Sequence, residues 1–192
     1  GIALVLVLLV MQLSSAIIAL ADGKTALKVS DFGDASLYAF LAKMADPQGN
    51  NGSFLYKEDA ENLQSIYFNY EDRETIEQIK SFTNLSKYCP NIQYFDVNNN
   101  YINSEASKSL LEEVNKLDKI TSLSYYIDTR SIDNDTFSTI FNKAGKENIT
   151  SFSLNISYYS NQNMEYDISG IANFTNLSYL RIYNSSENVK FV

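Results

Sequence analysis

Leu63-Gln-Ser-Ile66-Tyr-Phe68, Ile92-Gln-Tyr-Phe95-Asp-Val97, Ile120-Thr-Ser-Leu123-Ser-Tyr125, Ile149-Thr-Ser-Phe152-Ser-Leu154 and Leu177-Ser-Tyr-Leu180-Arg-Ile182 are five copies of one pattern, apolar-x-x-apolar-x-apolar. Their first residues stand at 63, 92, 120, 149 and 177, so successive copies are 29, 28, 29 and 28 residues apart. Alternation in the second half of each copy sends the apolar side chains to one face and the intervening ones to the other, as in a strand. A unit of this length cannot bury its apolar face alone, so the copies must cover one another.

The filler between copies carries a different period. Ser104 to Leu117 reads as a helix, with Leu110, Leu111, Val114 and Leu117 on one face and Glu112, Glu113 and Lys116 on a solvated flank. Residues 72–82 place Ile76, Ile79 and Phe82 at helical spacing after Asp72, and Asp133 to Lys143 repeats the theme with Phe137, Ile140 and Phe141. The fourth interval, Tyr158 to Tyr166, is polar and irregular. Alternating strands and helices at a fixed step predict an α/β leucine-rich-repeat solenoid, with parallel strands on the concave face and helices on the convex face. The competing architecture, a doubly wound domain, lacks support: no glycine-rich turn follows any strand.

The flanks divide the rest. Residues 2–21 are strongly apolar and end in Ala19-Leu20-Ala21, the small-x-small form of a signal-peptidase site, so 1–21 is read as an export signal. Residues 22–62 are read as a polar lead-in and a small helical cap. There Asp34 precedes Leu37, Phe40, Leu41 and Met44, the turn-rich stretch 46–53 follows, and a short helix starts near Lys57. Residues 63–192 hold about five repeats, and the array is expected to continue past Val192.

The stretch from Ile168 to Asn184, with Phe174-Thr-Asn-Leu-Ser and its second copy at 82–86, resembles the repeat of internalin-like leucine-rich-repeat proteins of bacterial cell surfaces. Phe32 through Leu41, then Asp46, Asn50, Gly52 and Glu58, resembles the EF-hand-like N-terminal cap of such proteins. The resemblance implies a secreted or surface-held recognition module with a protein or glycan ligand, working as a monomer. It does not imply calcium. With Gly52 at the sixth place of an EF-hand loop Glu58 falls at the twelfth, but the first is Pro47; counting from Asp46 puts Lys57 at the twelfth. A structural turn is expected, with no metal and no cofactor.

Composition removes several functions. The chain has 23 acidic and 15 basic residues, a net charge of −8, and no basic cluster for a phosphate backbone, so no nucleic-acid partner is expected. Histidine is absent, which removes the usual general base and the commonest metal ligand. The single Cys89 forms no intrachain disulfide and has no histidine to activate it. Eight Asn-x-Ser/Thr sequons follow from a composition rich in these residues. No catalytic residue is assigned; membrane contact is expected only through the export segment.

Laid in register, the non-core positions form three rows. The first reads Ser65, Tyr94, Ser122, Ser151, Tyr179; the second Tyr67, Asp96, Ser124, Ser153, Arg181; the third Asn69, Asn98, Tyr126, Asn155, Tyr183. Tyrosines among short hydrogen-bonding residues are the chemistry of adaptable binding surfaces. Tyr67, Tyr94, Asp96, Tyr126, Tyr179, Arg181 and Tyr183 are the candidate binding residues. The expected function is recognition of a protein or glycan through this face. The alternative is a targeting or scaffold module of a larger secreted enzyme.

Overall fold

The computed structural model describes residues 23–98, 104–128, 133–157, 164–184 and 189–192. The expected signal at 1–21 lies outside them; no helix among the described residues is long and apolar enough to cross a membrane. Five strands, β1 (Ser65–Tyr67), β2 (Tyr94–Asn98), β3 (Ser122–Asp128), β4 (Ser151–Ser157) and β6 (Tyr179–Asn184), form one parallel sheet in the order β1-β2-β3-β4-β6. Each repeat strand pairs with the next, in the register Ser65↔Tyr94↔Ser122↔Ser151↔Tyr179, which reproduces the sequence period. A doubly wound sheet reverses its strand order at a switch point. This sheet never reverses, and the topology is that of a leucine-rich-repeat solenoid.

Inward residues of the strands and the filler between them form one continuous core. Ile66, Phe68, Phe95, Val97, Leu123, Tyr125, Phe152 and Leu154 are all buried. So are Ile127 and Ile156, because β3 and β4 run three residues past the kernel. Aromatic contacts link successive units: Phe40 on Phe68 at 5.5 Å, Phe141 on Phe152 at 5.9 Å, and Phe152 on Phe174 at 5.3 Å. Offset ring pairs of this kind add to simple burial.

The N-terminal part holds α1 (Val29–Phe32), α2 (Ala35–Ala45) and α3 (Lys57–Glu61). The lead-in expected to be polar is in fact packed. Leu27 and Phe32 are buried, and Ala26 bridges Tyr56 in an antiparallel sense. Asp34 caps α2 by accepting from the N–H groups of Ser36 and Leu37, both at 2.9 Å. Its other oxygen accepts from Lys80 and Ser81 N–H at 2.8 and 3.2 Å, and Ser109 Oγ accepts from Phe82 N–H at 2.8 Å. Those bonds explain a correction. The helix expected over 72–82 shrinks to a 3-10 turn at Tyr70–Asp72 and α4 (Arg73–Ile76), because side chains from neighbouring units satisfy the backbone of 80–82. Asp72, expected to cap it, pairs with Lys43 instead.

In the loop at 46–58 the carboxylates have protein partners. Asp46 accepts from Asn51 N–H, Glu58 from Thr25 N–H at 3.0 Å, and Asp59 binds Lys24 at 2.9 Å.

The other side of the sheet carries α5 (Leu85–Tyr88), α6 (Ser104–Lys116) and α7 (Asn134–Ser138), then changes character. At the end of the interval read as polar and irregular, β5 (Met164–Tyr166) pairs in parallel with β7 (Val189–Phe191), and Tyr166 packs on Phe137 at 4.2 Å. The side expected to carry helices is corrected to the extent that it holds this strand pair as well. Glu113 is a second correction. It is buried rather than solvated, and accepts from Ser86 N–H (2.9 Å), Ser86 Oγ (2.7 Å) and Lys116 Nζ (2.6 Å). Burial pushes its carboxyl up, but those bonds outweigh burial and hold it below the usual range.

Candidate binding face

From β1 to β4 the sheet has one buried face and one open face, and the strand alternation fixes which residues belong to each. On β6 the inward Leu180 is itself 48% exposed, and register alone assigns Tyr179, Arg181 and Tyr183 to the open face. Cross-strand pairing places Tyr67 beside Asp96, Asp96 beside Ser124, Ser124 beside Ser153 and Ser153 beside Arg181. Asn98, Tyr126, Asn155 and Tyr183 are aligned in the same way. Of the seven candidate residues, Tyr67, Tyr94, Tyr179 and Tyr183 are 48%, 54%, 51% and 52% exposed. A tyrosine half in water, on a sheet whose other face buries every ring, is available to a partner. Asp96 and Arg181 are exposed as well, while Tyr126 is half-buried.

The open face is not uniform. In the first two rows the large side chains stand on β1, β2 and β6, whereas β3 and β4 present Ser122, Ser124, Ser151 and Ser153, all half-buried; Tyr126 on β3 belongs to the third row. A serine floor therefore separates Tyr94 and Asp96 on one side from Tyr179 and Arg181 on the other. Among the described residues no ion-pair partner faces Asp96 or Arg181.

What holds the floor flat was overlooked in the sequence. Asn98, Asn99, Asn100 and Asn184 stand just past their kernels, where an asparagine side chain could satisfy turn backbone groups. Asn99 and Asn100 lie outside the described residues, and Asn184 donates to Val189 O at 2.9 Å within its own unit. The ladder that links units lies one residue before each kernel. Asn91 donates to Glu61 O, Asn148 to Asp118 O and Asn176 to Glu147 O, at 2.7, 2.8 and 2.7 Å. Lys119, at the equivalent place in the third unit, donates to Asn91 Oδ1. Two residues on, a hydroxyl series repeats the device: Thr121 to Gln93 O, Thr150 to Thr121 O and Ser178 to Thr150 O, at 3.3, 3.2 and 2.9 Å. The signal was the recurrence of Asn at 62, 91, 148 and 176.

The other reactive groups lead away from chemistry. Cys89 is fully buried and burial pushes its thiol up to about 12, so it is no nucleophile. Lys143 is buried too, donating to Leu117 O and to Ala144 O at 3.0 Å past the C-terminus of α6, where a positive charge meets free carbonyls.

No protein-family model matches the chain, and no curated protein matches it. Among solved structures it is similar to an internalin (InlF) from Listeria monocytogenes, at 20% identity and a TM-score of 0.45, over 80% of this chain and 44% of that one. It is also similar to internalin C2 from the same species, at 15% identity and a TM-score of 0.36, over 81% and 77% of the two chains. The chain thus spans under half the length of the first. At these scores the fold assignment rests on the strand order and register of the chain itself.

Proposed function

We propose that the chain is an exported recognition module, held at or released from a bacterial cell surface, which binds a protein or glycan through the open face of its sheet, taken as the concave one. The observation that carries this reading is the set of four half-exposed tyrosines, spread over three aligned rows that flank a floor of serines. Rigid aromatic anchors beside short polar groups bury much area while freezing few torsions. Binding needs no metal, cofactor or catalytic residue, and the module acts as a monomer with no enzymatic step. Residues 23–62 serve on this reading as the cap that shields the first unit's core. The test uses arrays of surface proteins and of glycans, with the Tyr67, Tyr94, Tyr179 and Tyr183 to Ala variants. Saturable binding that falls at least tenfold in two or more variants is expected; binding undiminished in all four would overturn the assignment of the face.

A further inference from the structure

The second row offers more than tyrosines. Asp96 on β2 and Arg181 on β6 stand in one cross-strand line with only Ser124 and Ser153 between them. Neither charge has an ion-pair partner among the described residues, and both are exposed. Three inter-strand steps separate them, about 14 Å at the usual spacing of parallel strands. At that distance in water they scarcely interact with each other, so among the described residues each charge is left for a partner.

An extended chain advances about 13 to 14 Å in four residues and sends residues i, i+2 and i+4 to the same side. The match in length, sign and face decides the occupant. We propose that this row cradles an extended peptide segment of a protein partner, which crosses the strands from β2 to β6. A basic side chain lies over Asp96, an acidic one four residues away lies over Arg181, and the side chain midway settles on Ser124 and Ser153. Tyr94 and Tyr179 flank the segment from the first row, Tyr126 and Tyr183 from the third. These flanking rows are about 13 to 14 Å apart, which suits an extended backbone but crowds a helix with its 10 to 12 Å diameter. A helix would also place i and i+4 only about 6 Å apart. A glycan fits less well, because an acidic sugar would meet Asp96 and a neutral one would use neither charge.

The inference rests on the open face being the binding surface, and its test separates the two ideas. Random nonapeptides on phage are panned against the immobilised full chain and, in parallel, against Asp96→Lys and Arg181→Glu variants. Both substitutions are on exposed positions, and circular dichroism checks each fold. The unmodified chain is expected to enrich peptides with opposite charges four residues apart, in either order. The Asp96→Lys variant should enrich two acidic residues at that spacing, and Arg181→Glu two basic ones, with at least fivefold preference over the original motif. Enrichment of one motif on all three proteins, or of charges at any other spacing, overturns the cradle. So does the absence of enriched peptides alongside a glycan-array signal lost in Tyr94→Ala, which leaves recognition by this face standing. No binding of peptides, proteins or glycans to the face overturns both.

Discussion

Lys143 is the residue at which the fold accepts a cost. Its amine is buried against the Leu117 and Ala144 carbonyls, and burial lowers it to about 8, against the pull of Asp118 and Glu147. The unfolded chain keeps its proton to about 10.5, so between those values the unfolded state binds more protons than the folded one. Stability therefore rises with pH across that window, at up to about 1.4 kcal/mol per unit. Urea unfolding of the chain should gain roughly 1 kcal/mol between pH 7 and 9.5: Lys143 contributes about 2, and the buried Cys89 thiol, which ionises near 9 once unfolded, takes back nearly 1, so a Lys143→Met variant should lose stability over the same range. The experiment stops short of pH 10 because burial raises the Tyr125 phenol. Above that pH the unfolded tyrosine ionises first and stability falls. A parent profile that coincides with that of Lys143→Met would contradict the burial of Lys143. None of this was visible in the sequence, where Lys143 simply closed the stretch after Asp133.

At the scale of elements, what the sequence announced and what it concealed have distinct physical causes. The strands were legible because each kernel repeats its apolar positions, and Ser65↔Tyr94 through Ser151↔Tyr179 follow from spacing alone. The helix over 72–82 was misread because Asp34 and Ser109, distant in sequence, take the N–H groups a helix would have used. The β5–β7 pair was concealed because a three-residue strand among polar residues has no period to detect. The turn after Lys143 is set by Gly145, at φ +64, where an added Cβ would overlap the Asp118 carbonyl. Gly145→Ala should cost more than about 2 kcal/mol in urea unfolding, the left-handed strain plus the clash. Gly52, at φ +65 with open space around its Cβ position, serves as the control and should lose about 1 kcal/mol as Ala. Equal losses at the two sites would deny the contact with Asp118. For the candidate face, the sequence supplied membership of the rows. It could not supply exposure, nor the lack of an ion-pair partner for Asp96 and Arg181 among the described residues, since both depend on what each neighbouring strand presents.

Taken whole, the molecule is a line of units joined to nearest neighbours, so the effect of a broken joint depends on where it lies. The asparagine ladder allows a direct comparison. Asn91 ties the second unit to Glu61 in the interior of the line, while Asn176 ties β6, an edge strand of the five-stranded sheet, to Glu147. Asn91→Ala should lower global stability by about 1 kcal/mol, because unfolding must still cross that joint. Asn176→Ala should leave the global transition nearly unchanged while amide exchange quickens in β6. Similar shifts from both, with exchange faster throughout the sheet, would mean that the units unfold as one block.

The β5–β7 pair has a geometric outcome. Neighbouring strands stand about 4.8 Å apart and packed helices about 8 to 10 Å. A unit backed by a helix is therefore a wedge, thick behind and thin in front, and a stack of wedges bends around its strands. The unit backed by β5 and β7 is thin on both sides and adds little bend. Bending is expected to be greater beside α6 than beside β5 and β7, so a partner spanning β2 to β6 would meet its more curved ground near β3.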